Sequence, residues 1–314
     1  MGEKKIYDVV IIGAGPAGLS AGIYCGRSRL DTLIIEKAGI GGQITLTPEI
    51  DNYPGSLGTE SGTALTQRML EQAQRFGVSQ VVDDVVKVEL DGDIKTVYGQ
   101  YDKYHAKAII IAGGSAPAKL NCPGEDEYTG KGVSYCATCD GAFFGGLEVF
   151  VVGGGDSAVG EAIYLTDFAR KVTIIHRRDE LRAAKAIQES AFSNEKIDFM
   201  WDSVVKEIKG EAGLLTEIVV ENVKTGDQRT IKADPKDGTM GVFVFIGNRP
   251  QTGAYEGLVE MENGFIVTDD DMRTNIPGVF AAGDIRAKKL RQVVTAAADG
   301  AIAAAFAGKF VKES

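Results

Sequence analysis

The sequence predicts an α/β protein that contains two copies of a strand–turn–helix–strand unit. In the first copy, a glycine-rich turn follows an apolar strand near the start of the chain and leads into a helix and a second strand. The same pattern recurs 140 residues later, with the same spacing. Of the 314 residues, 40 are glycine and only 8 are proline, and the glycines have no three-residue period. Collagen-like and low-complexity chains are therefore excluded, and the glycines are expected at particular turns.

The first unit spans residues 7–37, where the turn Gly13–Gly18 has the spacing G-x-G-x-x-G. Gly13 allows a tight turn, Gly15 lets the backbone approach a pyrophosphate, and Gly18 lets the helix pack on the strand. The N-terminus of that helix offers free N–H groups to phosphates. Glu36, at the end of the second strand, can accept hydrogen bonds from ribose hydroxyls. This unit predicts a Rossmann-type dinucleotide site.

The second unit begins with the apolar strand 149–152, and its turn Gly153–Ala158 has the related spacing G-x-G-x-x-A. At the position equivalent to Glu36 it has His176, for which both a ligand contact and a surface role stay open. Three arginines follow: Arg177, Arg178 and Arg182. A carboxylate repels a 2′-phosphate, whereas clustered arginines pair with it. The second site is therefore predicted to prefer NADP(H) over NAD(H).

The first site suits a nucleotide with free ribose hydroxyls. A protein that holds NADPH in one site needs an electron acceptor in the other, and FAD meets both requirements. Further along the chain, a short apolar strand ends in the turn Gly283-Asp284 and precedes an alanine-rich helical stretch, from about Gln292 to Ala307. Glycine at that turn permits close approach of a ligand, and Asp284 can hydrogen-bond a polyol chain.

A pair of cysteines precedes the second unit. Cys136 and Cys139 are separated by two residues and followed by Asp140. Thiols at this spacing close into a disulfide and often have lowered pKa values, so this pair is the natural destination of the electrons. Asp140 either exchanges a proton with a thiol or is only a turn residue. Zinc is not expected, because the remaining ligand candidates are two histidines and the cysteines Cys25 and Cys122, which we interpret as structural.

The charge balance limits the partners. The chain has 34 Lys and Arg against 44 Asp and Glu, a net charge of −10, so nucleic acid and anionic lipid are not expected to bind. Asp8, the first glycine-rich turn and Asp299 interrupt the most apolar stretches, so we expect no membrane span. These features suit a cytoplasmic protein.

Several motifs spread along the chain form one combination. They are Gly13–Gly18, Gly41–Gln43, Asn52–Gly55, Cys136–Asp140, Gly153–Ala158, His176–Arg178 with Arg182, Gly283-Asp284 and Arg291-Gln292. This combination resembles the bacterial-type, low-molecular-weight thioredoxin reductases essentially from end to end. Its most specific part is C-A-T-C-D beside G-G-G-D-S-A and H-R-R.

The resemblance implies two Rossmann-like, three-layer nucleotide-binding domains, with one inserted into the other. Residues 1–116 and 247–314 would form the FAD-binding domain, and residues 117–246 the NADPH-binding domain with the cysteine pair. Cys139 would face the flavin as the charge-transfer thiolate, Cys136 would attack the disulfide of thioredoxin, and Asp140 would be the acid/base group. The family also implies a homodimer.

The turns and the resemblance together give the expected nucleotide contacts. For FAD they are Gly13, Gly15, Pro16, Ala17, Gly18, Glu36, Lys37, Gly41, Gly42, Gln43, Asn52, Gly283, Asp284, Arg291, Gln292 and Val293. For NADPH they are Gly153, Gly154, Gly155, Asp156, Ser157, Ala158, His176, Arg177, Arg178 and Arg182. Two segments depart from the family pattern: Ala112-Gly113-Gly114 replaces the usual Ala-Thr-Gly, and Arg286–Leu290 is more basic than usual.

One domain would carry both the NADPH site and the thiols, so both cannot easily meet one flavin in a single arrangement. We therefore expect a domain rotation, with hinges near Pro117–Leu120 and Ile246–Pro250. Two other functions stay open: a ferredoxin-dependent reductase or small-dithiol oxidase on the same scaffold, and a non-catalytic nucleotide or metal sensor. The arginine cluster argues against ferredoxin as the electron donor.

Overall fold

The computed structural model describes residues 5–46, 50, 52–56 and 60–313. The chain divides into two compact units, of which the first comprises Met1–Ala116 and Arg249–Ser314 and the second Pro117–Asn248. The second unit is thus inserted between two segments of the first. Each unit is built on a largely parallel sheet with helices on one face, which confirms the predicted α/β class with two Rossmann-like folds.

The elements are numbered along the chain. The α-helices are α1 (Pro16–Arg27), α2 (Gly62–Arg75), α3 (Glu125–Tyr128), α4 (Ala137–Asp140), α5 (Asp156–Leu165), α6 (Lys185–Phe192) and α7 (Val293–Glu313). The strands are β1 (Ile6–Ile12), β2 (Thr32–Glu36), β3 (Ser79–Val82), β4 (Val85–Glu89), β5 (Lys95–Gly99), β6 (Lys103–Ile111), β7 (Ser115–Pro117), β8 (Val133–Ser134), β9 (Glu148–Val152), β10 (Lys171–Ile175), β11 (Ile197–Met200), β12 (Ser203–Glu211), β13 (Leu214–Asn222), β14 (Gln228–Lys232), β15 (Gly241–Val244), β16 (Asn248–Pro250), β17 (Met261–Glu262), β18 (Phe265–Ile266) and β19 (Val279–Ala281). Short 3-10 helices cover Gly42–Leu46, Gly141–Phe144, Gly253–Tyr255 and Gly283–Ile285.

The sheet of the first unit has the order β3-β2-β1-β6-β5-β4, and β19 also pairs with β6. Strands β1, β2, β3, β6 and β19 are parallel, whereas β4 and β5 form an antiparallel extension. The chain leaves β1 towards β2 and later returns on the other side at β6. The strand order therefore reverses at β1, and ligands of open α/β sheets bind at the carboxyl edge of such a switch point.

Alternating residues of β1 face two separate cores, as expected for a strand buried on both faces. Val9 and Ile11 pack in the core beneath α1, α2 and α7. Val10 and Ile12 pack in the opposite core with Val97 of the antiparallel extension. The continuous apolar sequence of β1 thus has a direct structural cause.

The second unit is likewise built on a sheet with a separate core on each face. Its parallel sheet has the order β11-β10-β9-β15-β8, and the antiparallel sheet β12-β13-β14 is separate. Val149 and Val151 of β9 face the core that includes residues of α5 and α6. Phe150 and Val152 face the core shared with β12 and β13. The strand order reverses at β9, so the second switch point lies at the start of the turn Gly153–Ala158.

Helix α7 packs along α1 in the core of the first unit. Gly300 makes this approach possible, because a Cβ there would overlap the carbonyl oxygen of Ala17. By length and composition alone α7 is apolar enough to cross a membrane, contrary to the expectation that Asp299 rules this out. Its buried face and its place against α1 identify it as a core helix of this fold.

Candidate active site and nucleotide sites

The cysteine pair lies in the unit Pro117–Asn248, at the start of the single-turn helix α4. Cys136 and Cys139 form a disulfide, and their Cα atoms are 5.3 Å apart. Cys136 has extended backbone, with φ −146° and ψ 103°, and the turn that follows brings Cys139 back towards it. Both cysteines are half-buried, so each residue is partly exposed to solvent.

Asp140, the last residue of α4, has a carboxyl group that is partly removed from water. Burial raises the pKa of Asp140, and a hydrogen bond from Ser134 partly offsets this effect. The Ser134 hydroxyl donates to Asp140 Oδ2 over 2.6 Å. A carboxyl with a raised pKa beside a thiol pair suits proton exchange during thiol–disulfide chemistry.

The other two cysteines differ from the pair. Burial raises the pKa of Cys25 to about 12 and that of Cys122 to about 11. Both therefore stay as thiols near neutral pH and are poor nucleophiles. In the part of the chain that the structure describes, no group of three or more His, Cys, Asp or Glu side chains is placed to hold a metal ion.

The first glycine-rich turn lies at the carboxyl edge of the first sheet. The N–H of Gly13 donates to Ile35 O over 2.8 Å, and the N–H of Ala112 donates to Ile12 O over 2.8 Å. These bonds bring the ends of β1, β2 and β6 to one edge. Gly13 has φ +107°, and a Cβ there would overlap Ala112 O, so the fold itself requires this glycine.

Gly15 differs from Gly13, because nothing in the protein requires it to be glycine. Its φ is −75°, and a Cβ would meet only Gly41 O, at 3.9 Å. It caps the N-terminus of α1, where no side chain bonds the free N–H groups. An open, uncapped helix N-terminus beside a glycine with free space fits a pyrophosphate.

The neighbouring segment Gly41–Gln43 packs against this turn. The N–H of Gly41 donates to Ala14 O over 2.9 Å. A Cβ at Gly42 would lie 3.5 Å from the Cα of Gly15. Gln43 is exposed, as is Lys37, which follows β2. The structure therefore brings Gly41 and Gly42, predicted from the resemblance, to the first turn.

Glu36 also belongs to this site. Its carboxylate accepts the N–H of Ala14 over 2.8 Å and the N–H of Ala38 over 3.2 Å. The acid therefore fixes the glycine-rich turn, in addition to the ribose contact predicted for it. The sequence pattern predicted the position of Glu36 but not this second role.

The C-terminal turn reaches the same edge, because the N–H of Ala282 donates to Ile111 O over 2.9 Å. Gly283 has φ +80°, and a Cβ there would lie 2.8 Å from the Cβ of Ala17. Oδ1 of Asp284 is buried and has no hydrogen-bond partner in the described residues. Burial raises the pKa of Asp284. An orphaned carboxyl oxygen beside the first turn fits a ligand hydroxyl at this place.

The remaining predicted FAD residues lie beside this turn. The Asn52 amide donates to Gln292 Oε1 over 3.1 Å, and Val293 is the first, buried residue of α7. The Arg291 guanidinium lies 4.2 Å from the ring centroid of Phe265, and its Nε is 3.4 Å from Asp284 O. Arg291 thus stabilises the turn that carries Asp284.

The basic segment after Asp284 forms a buried ion cluster. Asp299 accepts hydrogen bonds from Arg286 Nη1 over 2.9 Å, from Lys288 Nζ over 2.8 Å and from the N–H of Gly283 over 3.0 Å. The unusual basic character of Arg286–Leu290 therefore fixes the Gly283 turn to α7. At the other departure, a Cβ on Gly113 would make only ordinary van der Waals contacts.

The second glycine-rich turn follows the same rules. Gly153 has φ +149°, and a Cβ there would overlap Phe245 O. At Gly154 a Cβ would overlap the ring of His176. At Gly155, the N-cap of α5, nothing lies within 4 Å of a Cβ and φ is −94°. As at Gly15, only a ligand would require glycine there.

Asp156, Ser157 and Ala158 form the first turn of α5. Asp156 Oδ1 accepts the N–H of Ala184 over 2.7 Å, which ties this turn to the segment after the arginine cluster. Ser157 is exposed, and Ala158 is buried against β9. Ser157 is thus free to face a nucleotide, whereas Ala158 is a packing residue.

His176 is buried beneath Gly154, and its Nε2 has no partner in the described residues. Burial lowers the pKa of His176, and the charges of Arg182, Arg178 and Arg177 lower it further. The imidazole is therefore neutral near neutral pH. All three arginines are exposed, and the described residues include no carboxylate ion-paired with any of them. A cluster of unpaired guanidinium groups fits a 2′-phosphate.

Sequence reasoning missed Ser134, which contacts both Cys136 and Asp140. The signal in the sequence was a hydroxyl residue two positions before the C-x-x-C-D motif, but serines are common at the ends of short strands whether or not they touch a reactive group. It also missed Asp299, whose bonds to Arg286 and Lys288 depend on contacts that are distant in sequence.

Known proteins match this chain over almost its whole length. The family model described as "Pyridine nucleotide-disulphide oxidoreductase" matches residues 7–300. A curated thioredoxin reductase from Peptoclostridium acidaminophilum is 56% identical over 98% of this chain and 98% of its own length. The Bacillus subtilis thioredoxin reductase is 49% identical over 100% of this chain and 97% of its own. The crystal structure of the thioredoxin reductase from Streptococcus pyogenes has a TM-score of 0.91 and 49% identity, covering 98% of this chain and 99% of that one. The chain belongs to the thioredoxin reductases of the pyridine nucleotide-disulphide oxidoreductase family.

Proposed function

We propose that this protein is a thioredoxin-disulfide reductase that uses FAD and NADPH. The observation that supports this most strongly is the position of the Cys136–Cys139 disulfide in the same unit as a nucleotide turn followed by unpaired arginines. A second nucleotide turn, with an acidic residue instead of arginines, lies in the other unit. When bound, NADPH supplies an electron pair, and FAD relays it to this disulfide.

The two cysteines, once reduced, would then reduce thioredoxin by thiol–disulfide exchange. The Cys136 thiolate attacks one sulfur of the thioredoxin disulfide, which forms a mixed disulfide and releases one thioredoxin thiolate. The Cys139 thiolate attacks Cys136 Sγ, which restores the Cys136–Cys139 disulfide and releases the second thioredoxin thiolate. Two electrons leave the enzyme dithiol, and each released thiolate takes up one proton. Asp140 exchanges a proton with a sulfur at this step.

The roles of the nucleotide residues form part of the proposal. Residues 1–116 and 247–314 would bind FAD through the turn at Gly15, through Glu36 and through Asp284. Residues 117–246 would bind NADPH through the turn at Gly155 and through the arginine cluster. The free glycine edges and the unpartnered Asp284 oxygen support these assignments.

Oligomeric state and location belong to the same proposal. We infer a homodimer and a cytoplasmic location, as the resemblance to this enzyme family implies. Sedimentation velocity of the FAD-loaded protein tests the first point. A sedimenting species with the mass of two chains is expected, and a species of 33.4 kDa would contradict it.

The function is tested by steady-state turnover of the FAD-loaded protein with oxidised thioredoxin. We expect one NADPH to be oxidised for each thioredoxin disulfide reduced, with NADH slower by about tenfold or more because it lacks the charge-assisted contacts. Cys139→Ser should stop turnover, whereas Cys122→Ser, a control at a thiol outside the site, should leave it unchanged. Turnover that needs reduced ferredoxin and ignores NADPH would contradict the proposal.

A further inference from the structure

The hydroxyl of Ser134 joins the redox turn to the acid/base carboxyl. Ser134 is buried, with 4% of its surface exposed. Its Oγ accepts the N–H of Cys136 over 3.1 Å and lies 2.6 Å from Asp140 Oδ2. We propose that Ser134 is a positioning residue that holds the Asp140 carboxyl on the turn carrying Cys136. The inference rests on the role proposed above for Asp140.

The hydrogen-bond geometry fixes the direction of each bond. A serine hydroxyl has one proton to donate and two lone pairs to accept with. Its proton goes to Asp140 Oδ2 over 2.6 Å rather than to Cys136 O over 3.3 Å, because the shorter acceptor is a carboxylate. A lone pair is left for the Cys136 N–H. One side chain therefore contacts both ends of the turn.

The backbone that carries Ser134 is well anchored. Ser134 ends β8, and this strand pairs with β15 in the parallel sheet, where Ser134 lies beside Phe243. Helix α4 has a single turn and no side-chain cap of its own. Ser134 thus connects a short helix to a sheet, which suits a residue that orients another group.

The ionisable groups around Asp140 leave Ser134 as the main partner of its charged form. Helix α4 packs against α5 and against the 3-10 helix Gly141–Phe144, which has no ionisable residue. Helix α5 has Asp156, whose carboxylate bonds the N–H of Ala184, and Tyr164. It also has Glu161, a buried carboxyl whose own pKa is raised by burial. Strand β15 has no ionisable side chain.

The consequence for the reaction follows from charge. When a proton moves between Asp140 and a sulfur, Asp140 is ionised either before or after the transfer. No electron moves with that proton. The Ser134 hydroxyl stabilises the carboxylate. Whichever way the proton travels, the loss of this hydroxyl makes the carboxylate harder to form and raises the pKa of Asp140.

The test compares Ser134→Ala with Ser134→Thr, which keeps a hydroxyl, in the FAD-loaded enzyme. The measurement is the pH profile of kcat with NADPH and oxidised thioredoxin. In Ser134→Ala we expect the limb of the profile that is due to Asp140 to move to higher pH by about one unit, because one hydrogen bond to the carboxylate is lost. Ser134→Thr should keep the wild-type limb. Ser134→Val, which matches the volume of the threonine variant and lacks a hydroxyl, serves if the alanine variant does not fold.

A double-mutant cycle separates positioning from general damage. Asp140→Asn should remove from the pH profile of kcat the limb that is due to Asp140. If Ser134 acts through Asp140, adding Ser134→Ala to this variant should cause no further loss of kcat. A wild-type pH limb in folded Ser134→Ala, or fully additive losses in the double variant, would overturn the inference. The proposed role of Asp140 fails separately if Asp140→Asn alone turns over thioredoxin at the wild-type rate.

Discussion

At the scale of single residues, Asp140 shows a conflict between stability and chemistry. Its carboxyl is buried enough for its pKa to be raised, so its ionised form costs folding free energy near neutral pH. Asp284 has the same property in the other unit, with an oxygen that has no partner among the described residues. Groups of this kind are found where a ligand or reaction compensates the cost.

We predict that Asp140→Asn lowers turnover of thioredoxin by about a hundredfold and raises the free energy of unfolding at neutral pH. Because the pKa of Asp140 is raised in the folded state, the native carboxyl binds its proton more tightly than the unfolded one. The ionised carboxyl therefore lowers the free energy of unfolding by its full amount above the pKa that Asp140 has in the folded protein. This effect vanishes below the pKa that Asp140 has in the unfolded chain. Urea unfolding at neutral and acid pH should show that the variant has a higher free energy of unfolding than the wild type, by an amount that becomes smaller as the pH falls.

Asp270→Asn is the matched control for this prediction, since Asp270 is exposed and lies in the other unit. It should change neither turnover nor the pH dependence of unfolding. An Asp140→Asn protein that is less stable than the wild type at neutral pH would show that the Ser134 hydrogen bond outweighs burial.

The arginine cluster gives a second prediction at this scale. Arg178→Gln and Arg182→Gln should each raise the KM for NADPH by about tenfold and leave the KM for NADH nearly unchanged, because only NADPH carries the 2′-phosphate. Arg229→Gln, an exposed arginine on β14 of the same unit, is the control. Equal losses with both nicotinamides would mean that the cluster has another role.

At the scale of elements, each glycine-rich turn contains two kinds of glycine. Gly13 and Gly153 have positive φ and lie against a neighbouring strand end, so the protein fold requires them. Gly15 and Gly155 have ordinary φ and open space, so only a bound nucleotide would require them. This difference separates folding from binding within one motif.

We predict that Gly15→Ala folds but loses FAD affinity, and that Gly155→Ala folds, keeps FAD and binds NADPH more weakly. The added methyl would occupy space that a pyrophosphate needs, so a loss of about tenfold or more in affinity is expected in each case. Flavin content and NADPH titration measure the two effects. Gly39→Ala, at an exposed glycine with nothing within 4 Å, should change neither. If Gly15→Ala or Gly155→Ala lost thermal stability but not nucleotide binding, the fold rather than the nucleotide would require glycine at that position.

The sequence was sufficient for the parts of the fold that depend on local pattern. The strand, turn and helix at Gly13–Gly18 and their repeat at Gly153–Ala158 follow from spacing and are confirmed. Ser134 and Asp299 were not predictable, because each acts through contacts that only the folded chain creates. The antiparallel layers β4–β5 and β12–β14 were also missed, since their short strands have mixed polar and apolar residues.

At the scale of the whole molecule, the insertion of one unit into the other places the turn Gly153–Ala158 and the thiols in a single module. That arrangement came from the resemblance, since no local pattern marks the two points where the chain passes between units. Gly247 lies at one of the proposed hinges and has φ +124° with nothing within 4 Å of a Cβ. A backbone free of side-chain contact is suited to change its torsion angles.

We predict that a cross-link between the two units stops turnover with thioredoxin, because in the proposed rotation the thiols and the nicotinamide alternate at the flavin. A pair of introduced cysteines joined by a bifunctional maleimide, checked by mass spectrometry, provides the lock. The same cysteine pair left unlinked is the control and should turn over normally. Unchanged turnover in a verified cross-linked sample would exclude a rotation.

Electron transfer from NADPH to Cys136 and Cys139 is the core of the proposed function. Its most direct test is anaerobic addition of NADPH to the FAD-loaded protein, followed by alkylation and peptide mass spectrometry. We expect NADPH-dependent alkylation of Cys136 and Cys139, with no NADPH-dependent change at Cys25 or Cys122. An intact Cys136–Cys139 disulfide after NADPH has reduced the flavin would contradict it.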